Sequence, residues 1–321
     1  MAVAEIDPAL AVTGIADALP AARGERSRIG AAATTASWHD YVTLTKPRIM
    51  SLLVLTSVCA MVAAAGGDPA PLPLVALVLG GGLACGGASA LNHVLDRDID
   101  RLMGPRTASR PVASGRISPA RAVAFGLTLS GLAFLVLAAF ANLLAAGLAL
   151  AGGAFYVLVY TLWLKRTTSQ NIVIGGAAGA FPPLAGWAAA TGRLGLGAMF
   201  LFLIILLWTP PHFWALALLL APHYAAARVP MMPVVRGATA TAQQVFIYAL
   251  ALTALTAVPF LTGTFGVVYL AAAIGLGAVL CALTWRLRVE SVPARAAVLF
   301  HYSLLYLALL FVAVALDAVI R

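Results

Sequence analysis

The sequence has little charge and few cysteines. Only 10% of its 321 residues are charged, 62% are hydrophobic, and the mean hydropathy is +0.99. This composition excludes an ordinary soluble domain, whose surface needs more charge. Cys59, Cys85 and Cys281 lie in apolar segments without a CxxC or CxxH pattern, so neither a disulfide framework nor a cysteine metal site is indicated. A GxSxG or Cys–His signature of covalent catalysis is also missing.

Long apolar segments take the place of charge. A helix needs about 20 apolar residues to cross a bilayer, and nine segments satisfy this, so the sequence predicts an all-α, polytopic membrane protein with nine helices in a bundle. Residues 1–37 are Ala-rich and lack periodicity, and we expect a disordered cytoplasmic tail there, followed by the transmembrane domain at 38–321. The predicted spans are 48–66, 74–94, 119–140, 143–163, 172–191, 197–220, 243–262, 266–285 and 296–319.

Basic residues are distributed unevenly between the predicted loops. If the N-terminus is cytoplasmic, only Arg193 and Arg321 of the 20 Lys and Arg residues fall outside. Cytoplasmic loops of membrane proteins carry an excess of Lys and Arg. The pattern therefore predicts a cytoplasmic N-terminus and an external C-terminus, and it explains the net charge of +9 without nucleic-acid binding.

One polar stretch directly follows the second predicted span. Asn92, Asp96 and Asp100 are spaced i, i+4, i+8, so on a helix they share one face. Acidic groups this close to hydrocarbon are costly unless they are paired, hydrated or metal-bound. Arg106 and Arg110 follow at one-turn spacing, and guanidinium groups suit phosphate. Together these residues predict a Mg²⁺-bridged diphosphate site, although a solvated loop with ordinary membrane-flanking charge remains the alternative.

Two further polar clusters are predicted on the same side of the membrane. Lys165 and Arg166 end the fourth span, and His223 and Arg228 follow the sixth. His212 lies beside a Pro-Pro kink within the sixth span, where it is either a hydrogen-bonded core residue or a functional group. Because the polar groups gather at one membrane face, the pattern differs from that of transporters, whose sites lie near the midplane.

Several motifs resemble those of heme O synthases, which belong to the UbiA-type intramembrane prenyltransferases. The resemblance extends over residues 38–319. An NxxxDxxxD pattern marks only the superfamily, whereas KRTTSQNIVIGG with GAFPP and TPPHFWA is typical of heme O synthases. The matching segments are DYVTLTKPRIM, NHVLDRDID, RTASRP, YTLWLKRTTSQNIVIGGAAGAFPPLAGW, WTPPHFWALAL, VPMMPVV and HYSLLYLALLF.

The resemblance implies nine helices around a central chamber and transfer of the farnesyl group of farnesyl diphosphate to a vinyl group of heme B, with water addition. It places this reaction in the bacterial inner membrane, in the biogenesis of heme-copper oxidases, with Mg²⁺ as cofactor. It assigns the metal to Asn92, Asp96 and Asp100, and adds Lys165 and His212 as catalytic residues. The diphosphate contacts expected are Arg106, Arg110, Lys165, Arg166, His223 and Arg228, of which His223 stands where the family usually has an acidic residue.

Heme binding leaves more than one possibility open. His212 and His301, each inside a predicted span, are both candidate axial ligands, and the sequence does not choose between them. Aromatic residues of spans four to six, among them Tyr156, Tyr160 and Trp163, are candidates to face an allylic cation. A quinone-precursor prenyltransferase and a noncatalytic transporter or assembly factor are the alternatives. A heme A synthase is the downstream partner considered.

Overall fold

The computed structural model describes residues 36–321. Almost all of the predicted tail, residues 1–37, thus lies outside the described residues. Within residues 36–321, nine helices are long and apolar enough to cross a membrane, which confirms the predicted multi-pass, all-α architecture. The helices are α1 (Trp38–Thr45), α2 (Pro47–Ala64), α3 (Pro71–Leu95), α4 (Arg97–Leu102), α5 (Pro105–Ala108), α6 (Pro119–Phe140), α7 (Leu143–Thr167), α8 (Asn171–Thr191), α9 (Leu196–Leu219), α10 (Ala221–Ala226), α11 (Met232–Leu261), α12 (Val267–Val289) and α13 (Pro293–Ile320).

The nine long helices, all except α1, α4, α5 and α10, follow one another around a ring, which contacts of α2 with α8 and of α9 with α13 cross. Each packs against the next in chain order, and α13 returns to α2. Fully buried Trp214, Tyr306 and Phe311 belong to a large apolar cluster that includes residues of α9, α11, α12 and α13. A second cluster, around Met61 and Leu137, joins α2 and α6. The ring brings helices that are distant in sequence close to the end of α3.

Capping residues define several helix starts that bear on the site. The hydroxyl of Ser118 accepts a hydrogen bond from the Arg121 backbone N–H, and Pro119 occupies the first turn of α6, as the sequence indicates. Asn142 caps α7 in the same way, accepting from the Ala145 N–H at 2.9 Å. Lys46 has a left-handed backbone, with φ 51°, and turns the chain between α1 and α2.

Two helices depart from the sequence-based expectation. The C-terminal half of α7 contains a segment, Phe155–Leu164, with π-helical hydrogen bonding, a feature frequent at functional sites. Helix α11 begins at Met232, well before the predicted start at 243, because the chain resumes helical hydrogen bonding before it becomes strongly apolar. Gly237, with φ 79°, interrupts the helical backbone there.

Candidate active site

The predicted polar row at the end of α3 is a buried hydrogen-bonded cluster. The amide oxygen of Asn92 accepts from Lys46 Nζ at 2.8 Å, and its Nδ2 donates to Asp96 Oδ2 at 2.7 Å and to Thr161 Oγ1 at 3.1 Å. Lys165 Nζ approaches the same Asp96 oxygen at 2.6 Å. Asn92 and Asp96 are each only 2% exposed. Side chains from α3, α7 and the α1–α2 junction therefore meet at one point.

The helix carrying this row is not continuous. Helix α3 ends at Leu95, Asp96 lies at the junction, and α4 begins at Arg97. The backbone N–H of Asp100 nevertheless bonds to the carbonyl of Asp96 at 2.7 Å, and that of Asp96 to Asn92 at 2.8 Å. The i, i+4, i+8 placement predicted from the sequence is therefore retained across the junction.

Asp100 forms the second half of the cluster. Its Oδ1 pairs with Arg110 Nη1 at 2.6 Å, and its carbonyl accepts the Thr107 hydroxyl at 2.7 Å. Asp100 is 1% exposed, and this burial raises the pKa of its carboxyl, while Arg110 acts in the opposite direction. Burial, with the nearby charges of Arg110 and Lys165, lowers the pKa of Lys46 to about 7. A bound anion would favour the protonated form of that amine.

The free oxygens of the cluster fit a divalent cation. Asp96 Oδ1 and Asp100 Oδ2 are buried and have no hydrogen-bond partner, although buried carboxylate oxygens are normally satisfied. Mg²⁺ takes one or two carboxylates and completes its shell with water and phosphate. Among residues 36–321 there is no group of three His, Cys, Asp or Glu side chains placed to hold a metal, so a ligand would have to supply the rest. Asn92, predicted as a metal ligand, instead has its amide oxygen occupied by Lys46.

Arg166, predicted to contact diphosphate, is held by a neighbouring acid. Its two terminal nitrogens each lie 2.8 Å from an oxygen of Asp98, and Nη2 also donates to the Leu95 carbonyl at 2.6 Å. This fork lowers the pKa of the Asp98 carboxyl to about 2. The arrangement ties the end of α7 to the α3–α4 junction and so positions Lys165 beside Asp96.

The remaining predicted diphosphate contacts lie at the periphery of the cluster. Arg106, His223 and Arg228 are exposed, and the ring of His223 lies against Gly104, where an added Cβ would be 3.1 Å from its Cδ2. Tyr224 is the buried member of α10, 6% exposed. Burial raises its pKa to about 12, with a further rise from Asp96 and an opposing effect of Arg110. Tyr224 is thus buried, whereas His223 and Arg228 of the same segment are exposed.

The two candidate heme ligands have different surroundings. His301 is exposed on the outside of the bundle, and its Nδ1 lies 2.8 Å from the Ala297 carbonyl. The ring of His212 is stacked between Trp208 and Phe300, with centroid distances of 4.3 and 4.9 Å. The structure does not bring the two histidines together.

The hydrogen bonds of His212 determine its tautomer. Nδ1 is 2.7 Å from Ser303 Oγ, and that hydroxyl donates its own hydrogen to the Phe300 carbonyl at 2.7 Å. Ser303 must therefore accept from Nδ1–H, which leaves the lone pair on Nε2. A metal-ligating histidine is usually neutral, with the N–H of its other ring nitrogen donated to a hydrogen-bond acceptor.

The aromatic residues divide between the interior and the outer surface. Tyr156 and Tyr160 stack with centroids 5.7 Å apart, next to Thr161 of the cluster. Trp163 is 61% exposed and faces away from it. Since successive residues of a helix point in different directions, the aromatic content of α7 alone does not tell which rings face inward.

Two buried polar residues lie beside the predicted groups: the sequence places Asn171 with the polar residues around Lys165 and Arg166, whereas the sequence analysis missed His93. His93 lies within α3 and is 2% exposed, and Asn171, at the start of α8, is fully buried. Their side-chain nitrogen and oxygen atoms have no hydrogen-bond partner among the described residues. His93 directly follows Asn92 inside an apolar segment, and that position was the available signal.

Within residues 36–321, nine long apolar helices carry paired carboxylates and basic groups at one end, and these features coincide with a family match. The model of the UbiA prenyltransferase family matches residues 53–314, and the chain belongs to this family. A solved structure described as digeranylgeranylglyceryl phosphate synthase has a TM-score of 0.73 at 18% identity, covering 88% of this chain and 99% of its own. A UbiA homologue from Archaeoglobus fulgidus, bound to GPP and Mg²⁺, has a TM-score of 0.65 at 16% identity, covering 86% and 99%.

Curated relatives define the similarity more closely. A protoheme IX farnesyltransferase from Gloeobacter violaceus is 52% identical over 286 residues, which are 89% of this chain and 93% of the relative. One from Roseiflexus is 50% identical over 281 residues, and the chain spans 88% of its own length but only about half, 52%, of that longer protein.

Proposed function

We propose that this chain transfers the farnesyl group of farnesyl diphosphate to a vinyl group of heme B, with water addition, to give heme O and diphosphate. The observation that carries the proposal is the buried cluster of Asp96 and Asp100, in which each carboxylate has one oxygen paired to a cation and one oxygen free. The name of the Gloeobacter relative supports the substrates.

Asp96 Oδ1 and Asp100 Oδ2 would hold Mg²⁺, with diphosphate oxygens and water as further ligands. The A. fulgidus homologue bound to GPP and Mg²⁺ supports this assignment. The metal, when bound, would supply positive charge where negative charge develops on the leaving oxygens. Asn92 would orient Asp96 through the bond from its Nδ2.

The basic side chains of the cluster would bind the diphosphate. Lys165 and Arg110 are held on the acids at 2.6 Å, so their remaining donors lie beside the free carboxylate oxygens. Lys46 approaches the same point through Asn92. Fixed positive groups aimed at a developing charge stabilise the transition state without reorganising at the moment of reaction.

The chemistry requires no protein nucleophile. The bond between the allylic carbon and the diphosphate oxygen breaks, and the vinyl group supplies the electron pair of the new carbon–carbon bond. Water then adds to the remaining vinyl carbon and loses a proton. The rings of Tyr156 and Tyr160 would face the allylic cation and stabilise it through their π electrons.

His212 is the residue proposed to hold the heme. Its Nδ1–H is bound by Ser303 and its ring is stacked between two aromatic rings, so Nε2 is oriented and free to coordinate iron. We expect His212→Phe, which keeps the stacking, to lose the iron–imidazole absorption signature. His301→Phe, on the outer surface, is the matched control and is expected to retain it.

The proposed setting is the bacterial inner membrane, with the cluster at the cytoplasmic face and the C-terminus outside, as the distribution of Lys and Arg favours. The product would be passed to a heme A synthase. A membrane-impermeant thiol reagent tests the orientation on a cysteine placed at Arg321, and labelling in closed inside-out vesicles alone would contradict it.

Turnover of purified protein tests the reaction. Heme B, farnesyl diphosphate and Mg²⁺ are expected to give a heme heavier by one farnesyl group plus water in mass spectrometry, and EDTA is expected to abolish it. Asp96→Asn should remove the product. Asp68→Asn is the matched control, because Asp68 lies in the turn between α2 and α3, at the opposite end of these helices from the cluster, and forms no salt bridge within residues 36–321, and it is expected to keep most of the activity.

The result that would contradict the proposal is the absence of product from folded protein that binds heme. Product from a quinone precursor under the same conditions would assign a different acceptor to the same site. Failure with every acceptor would favour a noncatalytic role.

A further inference from the structure

An apolar groove lies on the outside of the bundle, where α3 separates α2 from α6. It consists of two adjoining cavities of about 520 and 420 Å³ that share Met50, Val78 and Gly82. Both cavities are open along the outer surface of the bundle. The groove faces the lipid side of the ring and is separate from the polar cluster.

The length of the groove matches one leaflet of a bilayer. Along α2 its lining extends from Pro47 to Val58, which at 1.5 Å per residue is about 16 Å. The hydrocarbon core of a bilayer is about 30 Å thick. An acyl chain that enters from the lipid side, with its headgroup at the end next to the polar cluster, would therefore be contained within the groove.

Glycine keeps the groove open. A Cβ added at Gly82 would meet only the Met50 methyl, at 3.7 Å, so its missing side chain is what leaves the space. At Gly86 an added Cβ would lie 3.2 Å from Thr45 Cγ2, which closes the groove at the α1–α2 junction. The closed end is thus next to Lys46, whose ammonium is turned inward to Asn92.

Exposed arginines flank this closed end. Arg48 directly follows the lining residue Pro47 on α2, and Arg121 precedes the lining residue Phe125 by four positions on α6, so both lie at the end of the groove next to α1. Both are exposed, and neither forms a salt bridge with any residue in the range 36–321. The Tyr41 ring packs edge-to-face against the Phe125 ring, with centroids 5.1 Å apart, and so holds α1 against α6.

We propose that this groove is a binding site for an anionic phospholipid, with one acyl chain along Met50 and Gly82 and the headgroup phosphate between Arg48 and Arg121. Two guanidinium groups without acidic partners suit a phosphate, and the apolar lining suits hydrocarbon. The bound lipid would hold α1, α2, α3 and α6 together at the turn where Lys46 enters the cluster.

Native mass spectrometry of the purified full chain, first stripped of lipid and then titrated with phosphatidylglycerol or phosphatidylcholine, tests the site. We expect one phosphatidylglycerol to bind in preference to phosphatidylcholine. Arg48→Gln with Arg121→Gln should weaken this binding about 30-fold, since each basic residue at a membrane surface contributes about a factor of five. Gly82→Leu should abolish it by filling the groove.

Matched variants separate a built site from general surface charge. Gly81→Leu adds the same side chain one residue earlier on α3, at a position where no atom lies within 4 Å of an added Cβ. Arg286→Gln with Arg288→Gln removes the same charge from exposed positions on α12. Both controls are expected to bind phosphatidylglycerol as the parent does. Equal binding by all variants, equal binding of both lipids, or displacement of the lipid by farnesyl diphosphate at micromolar concentration would overturn the proposal.

Discussion

Replacing Lys165 by Met tests whether the buried pair with Asp96 is a unit of both stability and function. The pair is 2.6 Å long, with side chains 11% and 2% exposed. In the Lys165→Met variant, Asp96 Oδ2 would keep only the hydrogen bond from Asn92. Asp96 Oδ1 has no hydrogen-bond partner even in the parent protein. The variant therefore leaves an almost uncompensated carboxylate inside the protein.

The expected loss is large because one member of a buried pair remains. Removing one partner of such a pair typically costs about 3–5 kcal/mol. At roughly 2–4 °C per kcal/mol, this predicts a fall in Tm of roughly 6 to 20 °C. Asp96→Asn with Lys165→Met removes both charges, and most of the lost Tm should return.

Thermal unfolding in detergent with EDTA, followed by tryptophan fluorescence, measures this cycle. Arg295→Met is the matched control, because Arg295 pairs with Glu290 at 3.2 Å with both side chains largely exposed, and exposed pairs contribute at most about 1 kcal/mol. Turnover is expected to be lost in the two single variants and in the double variant, since the restored stability does not restore the charges.

An additive result would refute the reasoning. If the double variant lost as much Tm as the two single variants together, Lys165 and Asp96 would not act as a pair, since contacting residues show a coupling energy. Turnover of the double variant near that of the parent would remove both residues from the reaction.

Further predictions concern contacts near and far from the cluster. Asp317 accepts hydrogen bonds from the backbone N–H groups of Gly266 and Tyr269 at 2.5 and 3.2 Å, so Asp317→Ala should lower stability by about 1–2 kcal/mol. The expected result is a lower Tm with unchanged turnover per folded protein, and an unchanged Tm would contradict this capping role. Tyr224→Phe should lower turnover about tenfold, which corresponds to the loss of one hydrogen bond of about 1.4 kcal/mol to the reacting groups. In the same mass-spectrometric assay, the turnover of Arg228→Gln, at an exposed position, should stay within about twofold of the parent's. The reverse order would show that Arg228 reaches the diphosphate.

The number and position of the membrane spans could be predicted from the sequence. All nine are confirmed, because the free energy of placing a segment in hydrocarbon depends mainly on that segment's own side chains. The start of α11 was placed too late. A helix outside the hydrocarbon needs no apolar run, so hydropathy does not detect the part from Met232 to Gly237.

The site was predicted less completely. The spacing of Asn92, Asp96 and Asp100 indicated a shared face, and the structure retains it across a break at Asp96. The sequence did not indicate that Asn92 would bond to Lys46 or that His93 would be buried beside it. Both depend on how α1 and α3 pack, and hydropathy carries no information about that packing.

An all-α membrane protein with an acidic row at the end of one span follows from composition and residue spacing, since both features are properties of neighbouring residues. Which cation meets which acid depends on how the helices pack. Lys165 bonds to Asp96, and the adjacent Arg166 bonds to Asp98. The sequence pattern does not distinguish the two basic residues, which both lie nearly 70 positions from the acids. Successive side chains of a helix point in different directions, and only the packing of α7 against α3 determines which of them faces the cluster.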